Sequence, residues 1–156
     1  MQQSNLFYSV LGTEQNGKKH PDVENSIVHF QKSYGLILPK DLQDFFSIAY
    51  ESQYNEKMYR FFSLKDFKGI DEELRNFDGS PDYSNIINTL VAYKDCFVFA
   101  DYMFHMFSYA IRLSKYESET NDIYIICGDK YKIIASSFTE FLHLYLSESI
   151  KLHFED

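Results

Sequence analysis

The amino-acid sequence predicts an α+β fold, in which helices pack beside an antiparallel, or mixed, β-sheet. Two helical patterns with clear ends follow each other between residues 22 and 50. Four strand-like segments then lie between residues 97 and 135, and an amphipathic helix pattern follows at 138–146. Helices and strands that are grouped in this way, without strict alternation, are typical of α+β proteins. The length of 156 residues suits a single domain, which we assign to 1–156 with its core at about 22–148.

Two helices are predicted in the N-terminal part. The first runs from Asp22 to Tyr34, because its apolar residues recur every three or four positions. Asp22 is suited to cap its start, and Gly35 is suited to end it in a left-handed conformation. The second begins at Pro39, which is tolerated at the first helical position, and continues to Tyr50. Its apolar residues share one face: Leu42, Phe45, Phe46 and Ala49.

The middle region carries mixed signals. Residues 58–62 indicate a short strand, and a helical pattern interrupted by Gly69 follows, with a turn at 78–81. Three consecutive acids, Asp71 to Glu73, lie in the helical part. Carboxylates are favoured near a helix N-terminus, so we interpret them as a solvated helix start and not as acid–base chemistry.

The second half of the sequence contains the segments that predict the sheet. Apolar residues alternate with smaller or polar ones at 97–100 and 107–113, which is the period of a half-buried strand. The segments 123–127 and 131–135 are joined by Gly128-Asp129-Lys130 and predict an antiparallel hairpin. The polar residues 114–122 predict an exposed loop. Ser137 and Glu140 form a capping-box pattern that starts the last helix, whose apolar stripe packs on the sheet.

The charge pattern narrows the classes of partner. The net charge is −8, and ten acids against five bases lie between residues 41 and 82. No clustered Lys/Arg face is visible, so we expect no nucleic-acid partner. The acids could steer a basic protein, or they could serve solubility alone. No apolar run is long enough to span a bilayer, and the N-terminal segment lacks the pattern of a signal peptide, so a cytoplasmic location without membrane contact is expected.

The residues that carry chemistry in enzymes form no recognisable motif. The nucleotide, serine-hydrolase and zinc-protease patterns are missing from the sequence. Cys96 and Cys127 lie in apolar segments and are expected to be buried free thiols. The five histidines are scattered, and we interpret them as surface or packed residues. We therefore predict no catalytic residue, cofactor or metal site, although residues distant in sequence can still form a catalytic triad.

The order of these elements resembles the SUKH superfamily, the domain family shared by a fungal cell-wall-synthesis regulator and many bacterial immunity proteins. The resemblance covers about residues 23–147. Family members often have a glycine or small polar turn after the central strand, where this chain has the apolar and aromatic segment 101–105. The matching positions lie at the start of the second helix, in the central strand and in the last helix: Leu38, Pro39, Asp41, Phe99, Asp101, Ser136, Ser137, Phe138 and Phe141.

The resemblance implies a binding protein. Such a protein would neutralise a cognate secreted or contact-delivered toxin, such as a basic nuclease domain, by occupying its surface. The alternative is a regulatory scaffold of the cell-wall-regulator type that binds several proteins weakly. An enzyme would be indicated by a deep pocket with converging polar groups.

Two groups of residues are candidates for partner binding. Tyr102, Met103, Phe104 and Met106 either form an exposed aromatic tip between two strands or continue a strand in which most of them are core. The second group is acidic and either steers a basic partner or is simply solvated. It comprises Asp71, Glu72, Glu73, Asp78 and Asp82, with Glu117, Glu119 and Asp122 on the loop.

Overall fold

A six-stranded sheet organises the computed structural model, which describes residues 3–12, 22–49 and 51–155. The strands are β1 (Tyr59–Phe61), β2 (Lys68–Gly69), β3 (Cys96–Tyr102), β4 (Phe107–Arg112), β5 (Ile123–Cys127) and β6 (Lys130–Ala135). The α-helices of the described part are α1 (Gln3–Leu11), α2 (Val23–Tyr34), α3 (Lys40–Phe46), α4 (Ile70–Leu74), α5 (Ile86–Thr89) and α6 (Phe138–Leu146).

The sheet order is β1-β3-β4-β5-β6, and β2 also pairs with β3. Every strand pair is antiparallel. This confirms the predicted α+β single domain and selects the antiparallel alternative over the mixed one. The predicted hairpin is present as β5 and β6, which are joined by two residues because β6 already begins at Lys130.

Both faces of the sheet are covered across β3, β4 and β5, which the sequence prediction of half-buried strands missed. Phe97, Phe99 and Tyr109 face one cluster, with α1, α2, α3 and α6. Val98 and Ala110 face a second cluster formed with the segment that contains α4 and α5. Along β3 and β4, large side chains therefore point to the first cluster and small side chains point to the second. The alternation does not distinguish a buried face from an exposed one. Small side chains leave room for the covering segment on the second face.

The N-terminal helices agree with the prediction in type and differ in their ends. Gly35 ends α2 in the left-handed conformation, with φ of 66°, and its N–H donates to the Gln31 carbonyl. Asp22 occupies the N-cap position, but its side chain makes no capping hydrogen bond. Helix α3 ends at Phe46, because the Phe45 carbonyl accepts from two successive amides and closes a turn. The predicted end at Tyr50 lies outside the described residues.

Helix α1 was not predicted. It is short, and Gly12 ends it in the left-handed conformation, with its N–H donating to the Tyr8 carbonyl. Leu6, Phe7 and Val10 are buried against the core. The Phe7 ring packs edge-on against Phe45 of α3, with 5.4 Å between the ring centroids. This helix is stabilised by tertiary packing, which a propensity argument does not include.

Helix α6 begins in a set of capping contacts, one of which comes from helix α3 in the N-terminal part of the chain. Ser137 Oγ accepts from the Glu140 N–H, as the capping box predicts. The Glu140 carboxylate bonds to Ser136, one residue before the position that a capping box requires. Asp41 of α3 accepts from both the N–H and the hydroxyl of Thr139, at 2.9 and 2.8 Å. Asp41 therefore caps a helix that begins almost one hundred residues later.

Cys96 and Cys127 form no disulfide. The prediction that both thiols are buried is confirmed for Cys96 and wrong for Cys127. Cys127 is half-buried because it ends β5 beside the turn to β6. Burial raises the pKa of the Cys96 thiol to about 12, so this thiol is protonated at neutral pH.

Candidate protein-binding site

The turn between β3 and β4 exposes three large apolar side chains at one end of the sheet. Tyr102 and Phe107 form the last strand pair, and the four residues between them make the turn, which we call the tip (residues 103–106). Phe104 is 64% exposed, and Met103 and Met106 are 38% and 42% exposed. The exposed tip is therefore the alternative that the structure shows. Tyr102 itself is half-buried below the tip and packs against the rings of Tyr59 and Phe107.

The tip has an unusual backbone. Met103, Phe104 and His105 have φ values of 47°, 52° and 63°, the left-handed region that glycine favours. For residues with a Cβ this conformation costs roughly 1–2 kcal/mol each. Such a backbone persists only where surrounding contacts hold it, and strained backbone of this kind is concentrated at functional sites.

A β-bulge positions Asp101, the first residue that holds the backbone of the tip. The register of β3 on β4 shifts between Val98 and Ala100, so β3 has one more residue than its partner there. As a result, Asp101 stands opposite Ser108, on the face of the sheet that carries the second cluster. On the other side Asp101 stands opposite Arg60 of β1. The bulge therefore brings a buried acid between a base and a hydroxyl.

Asp101 is fully buried and accepts hydrogen bonds from three groups. The Nε–H of Arg60 donates to Oδ1 at 2.8 Å, and the hydroxyl of Tyr54 donates to Oδ2 at 2.5 Å. The backbone N–H of His105 also donates to Oδ2, at 2.8 Å, and so ties the tip to the carboxylate. Burial of Tyr54 and the hydrogen bond from its own hydroxyl to Asp101 raise the pKa of Tyr54. The hydroxyl therefore stays protonated and remains a donor.

His105 anchors the tip from its other end. The residue is buried, with 5% of its surface exposed. Its ring atom Nδ1 lies 2.7 Å from Ser108 Oγ, and Nε2 lies 3.2 Å from a carboxylate oxygen of Glu73. The hydroxyl of Tyr83 donates to the His105 carbonyl at 2.6 Å. Burial raises the pKa of Tyr83, so this donor keeps its hydrogen. We call these residues, with Asp101, Arg60 and Tyr54, the polar network.

Ser108, His105 and Glu73 are arranged in the order of a hydrolase triad, but the geometry serves a structural purpose. Ser108 is 0% exposed, and its hydroxyl also lies 3.1 Å from that of Tyr83. A catalytic serine must be reached by the carbonyl group of the substrate, and the burial of Ser108 blocks this access. A cleft of about 900 Å³ between α2 and residues 63–72 is lined by other side chains.

Aromatic rings support the tip from the side. The Tyr54 ring packs on Phe104 with 4.7 Å between centroids. The Arg60 guanidinium lies over the rings of Tyr54 and Phe62, at 4.7 and 4.8 Å. Tyr54 therefore flanks the tip, although it lies about fifty residues earlier in the chain. The tip is therefore exposed at its surface and fixed at its base.

One acid of the first group, Glu73, lies beside the tip. Glu73 contacts His105 directly, and the ring of Phe77 lies 5.3 Å from that of His105. The interpretation of all three acids from 71 to 73 as solvated was wrong for Glu73, whose side chain is only 19% exposed. The other acids of this group keep access to solvent. Asp71 is paired with Arg75 and partly exposed, while Glu72, Asp78 and Asp82 are exposed.

The second acidic group lies at the opposite end of the sheet. Glu117 and Glu119 are exposed on the loop that connects the far end of β4 to β5, and Asp122 is half-buried there. The tip is at the near end of β4, and six residues of strand separate the two, a span of about 20 Å. The structure therefore brings Glu73 of the first group to the tip and places the second group at the far end of the sheet.

The sequence analysis missed the polar network. His105 was one of five scattered histidines, and its partners come from segments between positions 54 and 108. The available signal was a lone Asp and a lone Ser in two otherwise apolar strands. Their pairing depends on the β-bulge, which the alternation of the sequence does not show.

Within ranges 3–12, 22–49 and 51–155, no three His, Cys, Asp or Glu side chains are arranged to hold a metal ion. Among the same residues, no helix has the length and apolar character to cross a membrane.

The comparisons with known proteins agree with this picture of an α+β binding domain. A family model described as the SMI1 / KNR4 family (SUKH-1) matches residues 23–143. The match covers well over half of the chain, and the protein belongs to this family. Membership supports a protein-interaction role, as an immunity protein or as a regulator. No curated protein and no solved structure matches the chain.

Proposed function

We propose that this protein is an immunity protein that binds a cognate toxin and neutralises it by occupying its surface. The observation that carries the proposal is the tip, an exposed apolar turn held in a strained conformation by a buried polar network. In this proposal the protein acts in the cytoplasm through protein contact alone. It needs no cofactor, metal ion, nucleic acid or membrane for this role.

Phe104 is the proposed anchor of the complex. Its ring is 64% exposed in the free protein and would become buried in an apolar recess of the toxin. Buried aromatic side chains dominate the binding energy of most interfaces. Because the network fixes the tip before binding, less conformational entropy is lost in the complex.

The acids beside the tip are proposed to select a basic partner, such as a nuclease-type domain. Glu72, Asp78 and Asp82 are exposed and lie on the segment that packs below the tip. Acids at the rim of an interface steer a basic partner and raise the association rate. The loop acids Glu117 and Glu119 lie about 20 Å away, beyond the Debye length of about 8 Å at physiological salt. We propose that they add only a weak, long-range contribution.

The second candidate function is a regulatory scaffold that binds several proteins. The observation in its favour is that three of the four methionines, Met58, Met103 and Met106, lie at or beside the tip. Methionine side chains adapt to different partners and are common at promiscuous surfaces.

Affinity capture of the tagged chain from its native host separates the two functions. A single dominant partner whose toxicity the chain suppresses would support immunity, whereas several weakly held host proteins would support the scaffold. We expect Phe104→Ala to weaken the captured complex at least tenfold. The matched control is Tyr116→Ala, which removes an even more exposed ring, at 79%, at the opposite end of the sheet. Equal affinity of the two variants would contradict the role of the tip.

A charge-reversal pair tests the steering. Glu72→Lys with Asp78→Lys should slow association several-fold and flatten its salt dependence. Glu117→Lys with Glu119→Lys makes the same change in charge at the far end of the sheet and should alter the rate much less. If both pairs slow association equally, only the net charge matters.

A further inference from the structure

Strand β6 is an open edge of the sheet. It is the last strand in the order, and its outer side pairs with no other strand of the described part. An open edge presents unpaired backbone N–H and C=O groups, which only another extended segment satisfies in a regular ladder.

The side chains of this edge alternate in character. Tyr131 and Ile133 lie on the face of the second cluster, opposite Ile126 and Tyr124 of β5. They are 38% and 57% exposed, although Tyr124 beside them is buried. The apolar rows of this face therefore run across the sheet and continue uncovered to its edge.

We propose that β6 pairs with β6 of a second copy of this chain, antiparallel about a twofold axis through Lys132. In this register, Tyr131 of each copy stands opposite Ile133 of the other. Pairs of an aromatic and a β-branched residue are among the stabilising cross-strand pairs, and the twofold axis forms this pair twice. The self-complementary pattern identifies a second copy as the occupant, and the interface is isologous.

The lysines of the edge set the strength of this pairing. Lysine on an edge strand discourages association, and the axis places Lys132 opposite its own copy. Lys132 is turned toward its own chain, where Nζ donates to the Glu155 carbonyl at 2.9 Å and lies over the Phe154 ring. A register shift near Ile134 also limits the regular pairing to a few residues. One short strand per copy is smaller than a standard stable interface, so the dimer is weak.

Sedimentation of the full chain from about 10 µM to about 1 mM tests the proposal. We expect a monomer–dimer equilibrium that strengthens with salt, because salt screens the repulsion between two chains of net charge −8 and between the paired lysines. Ile133→Lys should weaken the dimer at least tenfold. Ile150→Lys is the matched control, since Ile150 is 69% exposed and lies outside the sheet.

Hydrogen exchange locates the interface. Protection of the β6 amides should increase with protein concentration in the natural chain and not in Ile133→Lys. A chain that remains monomeric at about 1 mM would overturn the proposal, as would a dimer that Ile133→Lys leaves unchanged. If β6 gains protection only when the toxin is bound, the edge receives a strand of the partner and not a second copy. The sedimentation outcomes and the concentration dependence of exchange do not depend on whether the protein neutralises a toxin.

Discussion

Replacement of Asp101 by Asn tests whether the polar network holds this end of the sheet together. The substitution keeps the shape of the side chain and removes its charge. The carboxylate accepts from three donors, and an amide has a single oxygen and two hydrogens of its own. In any orientation of the amide, at least one donor of Arg60, Tyr54 or His105 therefore loses its acceptor.

The expected loss follows from burial and charge. Breaking a buried ion pair costs roughly 3–5 kcal/mol when one partner is left without compensation. Asp101 is fully buried, but the Arg60 side chain is 26% exposed and keeps some hydration. We therefore expect the free energy of unfolding to fall by about 2–4 kcal/mol.

Urea unfolding at pH 7 measures this change. With a slope of about 2 kcal/mol per molar urea, the midpoint should fall by about 1–2 M at an unchanged slope. Asp44→Asn is the matched control, since its partner Lys40 is 82% exposed, and it should change stability by less than about 0.5 kcal/mol. Exchange of the His105 amide should also accelerate in Asp101→Asn. A loss below about 1 kcal/mol with unchanged exchange would refute the role assigned to the network.

Three further predictions concern the fold. Gly128→Ala should destabilise more than Gly35→Ala in thermal unfolding: both glycines have positive φ, but only at Gly128 does a Cβ meet a backbone carbonyl, at 3.1 Å. The free energy of unfolding should fall between about pH 9 and 10, because the unfolded Cys96 thiol ionises there while burial keeps the folded thiol protonated up to about pH 12. Urea unfolding of Cys96→Ala should show a flatter pH profile, and an unchanged profile would exclude this cause. Asp41→Ala should cost about 1–2 kcal/mol in urea unfolding, because α6 loses its contact to Thr139, and Asp44→Ala should cost less.

The prediction of the helices and strands succeeded where the signal is local. The period of α2, the glycine at its end and the turn between β5 and β6 each depend on a few neighbouring residues. Short elements that depend on packing were not predicted, and α1 is the clearest example. Its nine residues form a helix because the core receives its apolar face, and this information lies elsewhere in the chain.

For the candidate site, the sequence identified the side chains and left open their arrangement. It indicated Phe104 and its neighbours as a possible tip and indicated two acidic groups without placing them. The structure exposes the tip, sets Glu73 of the first group beside it and places the loop acids about 20 Å away.

The sequence by itself determined the α+β class, the order of the main elements and the resemblance to the SUKH family, because hydrophobic period and turn chemistry are local properties. Only the tertiary structure decided that both faces of the sheet are covered and that Asp101 meets Arg60, Ser108 and His105. These contacts depend on strand register, and a single bulge changes which residues share a face. A register is set by the packing of the whole sheet, so no single segment of sequence contains it.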